Sequence, residues 1–294
     1  MSMPGSRHGL LRFLNSRARS SALLLCALLA ACQTVENSSQ PIRDIRSPET
    51  RETPGRDTAT PPAATPREGD SEGRRLAVIR LELATGYYLK GNYAQALDEL
   101  KTSAAADPTL PQVYGMYGLV YMDLKEFAKA EESFQRALRL APEDSETLNN
   151  YGWFLCQTNR PRESIAQFQA ALRNPLYQTP SRPMHNAGIC SLRAGDAKGA
   201  EAWFEQAFKV DPGNPVAMYH LAEIHLKRGE FERARFFSQR LLSSFPPSAE
   251  TLWLGVRVGR LSGDSEGAAA LSSQLRRQFP GSREANLLQR GSFD

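Results

Sequence analysis

The chain has 294 residues, enough for one or two globular domains, and its formal net charge is +4. The four arginines among residues 1–31 account for all of that excess, because this segment holds no lysine and no acidic residue. The remaining chain is neutral by formal count. A neutral chain gives no reason to expect a nucleic-acid partner, since such partners are bound through clustered basic residues.

Residues 1–31 have the organisation of a secretory signal peptide. A basic stretch precedes an apolar run from Ala22 to Leu29, which is too short to span a bilayer. The run ends in Leu29-Ala30-Ala31-Cys32, which resembles the lipobox of bacterial lipoproteins. The resemblance implies cleavage before Cys32 and lipidation of Cys32. The alternative is an ordinary secretory signal with a chance cysteine near its cleavage site.

The residue after Cys32 bears on the membrane to which a lipoprotein is sorted. Gln33 replaces the aspartate that directs lipoproteins of enteric-type bacteria to the inner membrane. The expected location is therefore the periplasmic face of the outer membrane, with a lipid anchor. More than one acyl chain makes such an anchor stable, since each buried CH₂ contributes about 0.8 kcal/mol.

Residues 32–73 are predicted to be a disordered linker that follows the anchor. Residues 33–73 contain six prolines and many charges but no aromatic residue. Such a composition cannot bury enough apolar surface to offset the entropy lost on ordering. A coil of this length has an average end-to-end distance of ~35 Å, which proline stiffening increases. The linker therefore holds the rest of the chain away from the membrane.

Residues 74–294 carry an internal repeat, which is the strongest pattern in the sequence. Prolines recur at intervals of 33 or 34 residues, with one longer interval of 37, at Pro108, Pro142, Pro175, Pro212, Pro246 and Pro280. Repeats that end shortly after these prolines begin near residues 77, 111, 145, 181, 215 and 249. A proline ends a helix, so each repeat is expected to hold two helices.

Within these frames, residue size is conserved from repeat to repeat. Positions 8 and 20 are mostly glycine or alanine, which allows the two helices of one repeat to approach closely. Position 24 is large in the first four repeats, at Leu100, Phe134, Phe168 and Phe204. The fifth and sixth repeats depart from this pattern, with Ser238 and Ser272. Position 15 is glycine in four repeats, which suits the end of the first helix.

This pattern resembles the tetratricopeptide repeat, over most of the chain after the linker. The resemblance implies an all-α fold, a right-handed superhelix (α-solenoid) of six such repeats. After the last repeat, Ser282 is suited to cap a short helix carrying Ala285, Leu287 and Leu288, which would cover the end of the solenoid.

No group of residues in the sequence indicates catalysis. There is no glycine-rich phosphate loop, no HExxH and no GxSxG. His220 and His225 are five residues apart, which does not suit a shared metal on one helical face, and His225 is expected to be a packing residue. We therefore expect no enzyme activity, no metal, no cofactor and no small-molecule substrate.

A binding surface is expected on the inner face of the superhelix, to which positions 2, 5, 9 and 12 of each repeat contribute. In the first repeat these are Val78, Leu81, Thr85 and Tyr88, of which three are apolar beyond the set needed for packing. An exposed apolar strip usually marks a partner site. Coverage by the linker or a lipid tail is the alternative.

Two asparagines at position 6 are further candidates for partner binding. Asn150 and Asn186 are expected near the edge of the groove, where an amide can bind peptide backbone. Capping of local backbone groups is equally compatible with their position.

Two cysteines remain after the signal peptide and the lipidation site are set aside. Cys156 is position 12 of its repeat and Cys190 is position 10 of the next, so their first helices are expected to be neighbours. In an oxidising compartment this arrangement predicts a disulfide. The alternative is a pair of buried free thiols.

Sequence motifs in the third and fourth repeats narrow the choice among repeat proteins. The runs Asn149-Asn150-Tyr151-Gly152-Trp153-Phe154-Leu155-Cys156 and Asn186-Ala187-Gly188-Ile189-Cys190 resemble those of the type IV pilus biogenesis lipoproteins of the PilF/PilW (pilotin) family. Trp153 and the long proline-rich linker depart from the family pattern.

The resemblance to this family implies a scaffold function. Such a protein binds the outer-membrane secretin of the type IV pilus and promotes its localisation and multimerisation. The alternative is another cell-envelope lipoprotein with tetratricopeptide repeats, such as an adaptor for peptidoglycan enzymes or for outer-membrane assembly. A generic protein of that kind need not carry the two cysteine motifs.

Overall fold

The computed structural model describes Ala64 and residues 69–293. These described residues form thirteen α-helices and no strand. The helices are α1 Glu72–Leu89, α2 Tyr93–Ala106, α3 Pro111–Asp123, α4 Phe127–Leu140, α5 Ser145–Gln157, α6 Pro161–Ala171, α7 Ser181–Arg193, α8 Ala197–Val210, α9 Pro215–Lys227, α10 Phe231–Ser244, α11 Ala249–Leu261, α12 Ser265–Gln278 and α13 Arg283–Arg290. The predicted signal peptide and Cys32 lie outside the described residues, as does most of the predicted linker.

The first twelve helices form six consecutive pairs, which confirms the expected repeat fold. Helices α3, α5, α7, α9 and α11 begin at the residues where the sequence frames begin. Side-chain caps fix several of these starts, because a carboxylate or amide oxygen accepts from a free N–H of the first turn. Asp144 accepts from the Thr147 N–H at 2.9 Å, and Asn214 accepts from the Ala217 N–H at 2.9 Å. Helix α1 begins at Glu72, where Ser71 is the cap.

A residue with left-handed backbone conformation joins the two helices of every repeat. Four of these six residues are glycines, such as Gly91 with φ 75°. The second and third repeats use Lys125 and Asn159, both with φ 62°. Glycine adopts this conformation without steric cost, and asparagine tolerates it better than most residues. Position 15 therefore turns the chain in all six repeats, including the two in which the sequence lacks glycine.

Close contact between positions 8 and 24 holds each helix pair together. In the middle repeats a phenylalanine ring lies against a glycine of the partner helix, so that a Cβ added to the glycine would come within 2.6 or 2.7 Å of the ring. The three pairs are Gly118 with Phe134, Gly152 with Phe168, and Gly188 with Phe204. All three rings are fully buried.

The fifth and sixth repeats depart from the glycine–phenylalanine pattern but keep both positions buried. Position 24 is Ser238 or Ser272 in the last two repeats, and both side chains are buried. Position 8 is correspondingly larger there, with Ala222 and Val256, both fully buried. Each serine hydroxyl is satisfied within its own helix, Ser238 by the Arg235 carbonyl at 3.3 Å and Ser272 by the Ala268 carbonyl at 2.7 Å.

The connection between α6 and α7 is the irregular part of the solenoid. Helix α6 has 11 residues, whereas α4 and α8 have 14. Residues 172–180 then lead to α7, where residues 141–144 suffice between α4 and α5. The long proline interval in the sequence therefore corresponds to a shorter helix followed by a longer connection.

Helix α13 covers the last repeat, as the sequence predicts. Ser282 accepts from the Ala285 N–H at 3.0 Å and so caps the helix. Ala285 is buried, and Leu287 and Leu288 pack against the same core cluster, which includes Leu252 and Val256. The outer side of α13 is polar, which suits a solenoid end.

The contact between positions 8 and 24 predicts a specific coupling between Gly188 and Phe204. Gly188→Ala should lower the free energy of unfolding by up to ~2 kcal/mol, because overpacking costs about 1–3 kcal/mol and helix propensity returns about 1 kcal/mol. In a Phe204→Leu background the same change should be neutral or stabilising. Urea denaturation of the four proteins measures this coupling.

Gly86 provides the matched control, because a Cβ there would meet no atom within 4 Å. Gly86→Ala should raise the free energy of unfolding by about 1 kcal/mol through helix propensity alone. If Gly188→Ala lowers the free energy of unfolding equally with Phe204 and with Leu at that position, the Phe204 ring does not set the distance between the two helices.

Candidate protein-binding surfaces

The structure corrects the expected apolar strip in the first repeat. Val78, Leu81 and Tyr88 are only 1%, 2% and 6% exposed and belong to the first core cluster. The remaining residue of the set, Thr85, is half-buried and donates its hydroxyl to the Leu81 carbonyl at 2.9 Å. These four residues pack the first repeat and offer no exposed strip to a partner.

The exposed apolar surface of the first repeat lies on another face of α1. Leu76, Ile79 and Leu83 are 41%, 50% and 45% exposed, and their spacing places them on one side of the helix. We call these three residues the apolar ridge. At 100° per residue, the ridge points away from Ala77, Leu81 and the other buried residues of α1.

Sequence periodicity did not identify this ridge because α1 is apolar on two faces. A helix of this kind gives no single direction for its core. The sequence signal for the ridge was the series of large apolar residues at 76, 79 and 83. These residues are separate from positions 2, 5 and 12, which were expected to form the binding surface. Within residues 69–293 no helix lies over the ridge in place of a preceding repeat.

The two candidate asparagines are also buried, so the expectation that they lie at the groove edge is wrong. Asn150 is 1% exposed and Asn186 is 4% exposed. The amide of Asn186 donates to Asn149 Oδ1 at 3.0 Å, which joins α7 to α5. Asn149 in turn donates to Asn150 Oδ1 at 3.4 Å. These amides connect neighbouring repeats.

Cys156 and Cys190 are joined by a disulfide in the structure. Their Cα atoms are 5.8 Å apart, and the bond links α5 to α7. Both cysteines are buried beside Phe168 and Ala187 in a small core cluster of their own. The disulfide therefore connects the first helices on either side of the irregular α6–α7 connection.

The disulfide can be tested by thiol titration and by substitution. The denatured, unreduced mature protein should show no free thiol from Cys156 or Cys190. The chain-entropy model gives ~3.8 kcal/mol for closing a loop of this size, so replacing both cysteines with alanine should lower the free energy of unfolding by about 2–4 kcal/mol.

The effect of a reducing agent provides the control for this substitution. Reduction should destabilise the wild-type protein to a similar degree and leave the Cys156→Ala/Cys190→Ala variant unchanged. Two titratable thiols in the unreduced protein would contradict the bond.

Ion pairs link the inner positions of neighbouring repeats. Arg182 lies 3.2 Å from Glu146, and Arg257 lies 3.5 Å from Glu223. Burial raises the pKa of Glu146, while Arg182 opposes that shift. All four side chains are at most 22% exposed. The inner face in the later repeats is thus lined by paired charges rather than by a free charged patch.

Three histidines in these repeats pack among other side chains. Burial and the nearby Arg182 lower the pKa of His185 to about 3. Burial lowers the pKa of His220 to about 4, and its ring stacks on Phe204 with the centroids 4.7 Å apart. His225, expected to be a half-buried packing residue, is fully buried, with Nδ1 2.7 Å from Glu230.

The described residues contain neither a candidate metal site nor a candidate membrane-spanning helix. Among the described residues, no three His, Cys, Asp or Glu side chains are grouped closely enough to hold a metal ion. No helix in the described part of the chain has the length and apolar character needed to cross a membrane.

Comparison with known proteins identifies tetratricopeptide repeats in this chain. Models described as the tetratricopeptide repeat match residues 111–144, 152–215 and 191–252. The type IV pilus assembly protein PilF of Pseudomonas aeruginosa is 28% identical over 204 residues, which cover 69% of this chain and 81% of that protein.

Two solved structures share the fold over nearly their whole length. The crystal structure of PilW, described as a widely conserved type IV pilus biogenesis factor, is 33% identical with a TM-score of 0.67 and matches 73% of this chain and 99% of that one. The structure of Pseudomonas aeruginosa PilF is 27% identical with a TM-score of 0.69 and matches 75% of this chain and 100% of that one.

Proposed function

Because the chain belongs to the PilF/PilW family of type IV pilus biogenesis proteins, we propose that it is a pilotin for the secretin of that pilus. In this function the repeats bind a secretin subunit and promote its localisation and multimerisation in the outer membrane. The action is tethered binding, without turnover. A lipid on Cys32 restricts the complex to one membrane, and residues 33–71 set its reach from the bilayer.

The apolar ridge is the observation that supports a protein-binding role at this end of the solenoid. Three large aliphatic side chains about half exposed on successive turns of one helix leave apolar surface in water. Solenoid ends normally present a polar face. Burying such a patch against a partner contributes roughly 25 cal/mol for each Å² removed from water. We therefore propose that the secretin subunit packs against α1.

The ridge predicts the effect of a single charged substitution. Ile79→Glu places a carboxylate in the middle of the ridge on a side chain that is 50% exposed, so the fold should remain intact. The affinity for the secretin should fall at least tenfold, which corresponds to ~1.4 kcal/mol. Titration of the mature protein against purified secretin measures this, with circular dichroism as the check on folding.

A matched control uses an equally exposed residue in the last repeat. Leu261→Glu, at a side chain that is 53% exposed, should leave the affinity unchanged. Equal secretin affinities for the unmodified protein, Ile79→Glu and Leu261→Glu would show that the secretin contact lies elsewhere. If the linker covers the ridge instead, a protein that lacks residues 33–68 should bind the secretin more tightly than the whole mature chain.

Anchoring is tested separately from binding. Cys32→Ala should yield a folded protein that leaves the outer-membrane fraction, since folding does not depend on the anchor. Recovery of this variant in the outer membrane would contradict lipidation at Cys32.

The alternative function is that of another cell-envelope adaptor, for peptidoglycan enzymes or outer-membrane assembly. A pull-down of the mature chain from outer-membrane extract distinguishes the two. The proposed function requires that the secretin is captured, whereas an adaptor of the other kind captures a different partner.

A further inference from the structure

The segment that follows α13 folds back onto the inner face of the last repeat. Gly291 has φ 68°, a left-handed conformation that reverses the chain. The Ser292 N–H then donates to the Leu287 carbonyl at 3.1 Å. This reversal brings Phe293 against α11 rather than into solvent.

Phe293 makes three separate contacts with α11. Its ring stacks on the Trp253 indole, with centroids 5.3 Å apart and planes 23° from parallel. The guanidinium of Arg260 lies 3.8 Å from the centre of the same ring, and Arg257 Nε donates to the Phe293 carbonyl at 3.2 Å. Trp253, Arg257 and Arg260 are four and three residues apart, so they form one face of α11. We call these three residues the aromatic subsite.

The aromatic subsite lies at positions 5, 9 and 12 of the sixth repeat, where the sequence predicts the inner face. Arg257 also pairs with Glu223 at position 9 of the fifth repeat, so the subsite continues along the same face. Its contacts are of the kind used to bind peptides. An indole and a guanidinium can both pack against an aromatic ring, and a fixed N–H can donate to a backbone carbonyl.

We propose that the aromatic subsite binds an aromatic side chain in an extended segment of a partner protein, and that residues 291–293 occupy the subsite as an intramolecular competitor. The contacts of Phe293 with the aromatic subsite support both parts of the proposal. Phe293 supplies one ring and one carbonyl, which any extended peptide with an aromatic residue can also supply.

Displacement of this segment requires little local unfolding. Helix α13 has its own contacts to the core through Ala285, Leu287 and Leu288, in the cluster that Phe293 also joins. Displacement of Phe293 moves only the short segment that begins at Gly291. A tethered competitor has a high effective concentration, so it lowers the apparent affinity of an external peptide by the fraction of time that the subsite is closed.

The proposal does not depend on the assignment of the secretin as partner. The apolar ridge belongs to the first repeat and the aromatic subsite to the sixth, so either can fail while the other holds. The experiment below uses a peptide probe and involves no secretin.

The test compares the full mature chain with its Phe293→Ala variant. The probe is a fluorescent peptide Arg-Gly-Ser-Phe-Asp, with the sequence of residues 290–294, and the matched probe has alanine in place of phenylalanine. The Phe293→Ala chain should bind the phenylalanine probe at least tenfold more tightly than the unmodified chain does. Neither chain should bind the alanine probe.

Arginine substitutions in the Phe293→Ala background locate the binding site. Arg260→Gln should weaken probe binding at least threefold, because it removes the cation that contacts the ring. Arg277→Gln is the matched control, since Arg277 is also exposed and lies on α12. It should leave the affinity unchanged.

Several outcomes would overturn the proposal. Absence of probe binding by a folded Phe293→Ala chain would show that the segment is a fixed cap. Equal binding by both chains would show that it does not compete. Loss of affinity from Arg277→Gln as large as that from Arg260→Gln would place the probe elsewhere. Concentration-dependent dimers of the unmodified chain, abolished by Phe293→Ala, would identify a second copy as the occupant.

Discussion

The contact between positions 8 and 24 of each repeat is the constraint on which the solenoid depends. It sets the distance between the two helices of a pair, since a phenylalanine ring rests where a Cβ would otherwise be. Gly152 and Phe168 illustrate this in the third repeat, and Gly188 and Phe204 in the fourth. Because each repeat packs only on its neighbours, small errors in this distance would accumulate along the array.

The polar and covalent links between repeats add to that packing in the middle of the array. The disulfide and the Asn186–Asn149 hydrogen bond both join α5 to α7, where the α6–α7 connection is longest. Arg182 and Glu146 join the starts of the same two helices. Three different interactions thus hold one junction whose second helix is three residues short. This junction contains the two cysteine motifs that resemble those of the PilF/PilW family.

The two ends of the solenoid differ, and this difference bears on function. The last repeat is covered by α13, and Phe293 occupies the inner face of α11. The first repeat presents the apolar ridge on α1 to solvent in the described part of the chain. In the proposed function, residues 33–71 connect the lipid anchor to α1, so a secretin subunit held at the ridge is tethered to the membrane in which it assembles.

Much of the fold could be predicted from the sequence because the repeat imposes local rules. Proline spacing and small residues at position 8 recur in register from repeat to repeat, and the cap at Ser282 acts within three residues. The binding surface could not be predicted in the same way. Leu81 and Ile79 are both apolar residues of α1, and only the packing of α2 and α3 decides that Leu81 is buried and Ile79 exposed.

The sequence pattern also could not predict contacts between residues that are far apart in the chain. Phe293 reaches Trp253 through a chain reversal at Gly291, and no periodic pattern encodes such a contact. The asparagines at position 6 were misplaced because an amide that bonds across helices has the same sequence position as one that faces a groove.

The central claim, that this chain promotes secretin assembly, is tested most directly by the state of the secretin in cells. The measurement is the fraction of secretin present as multimers in the outer membrane, with and without the gene for this chain. The account predicts that deletion leaves the secretin as subunits outside the assembled ring and that the wild-type gene restores the multimers. An unchanged fraction of outer-membrane multimers in the deletion strain would contradict it.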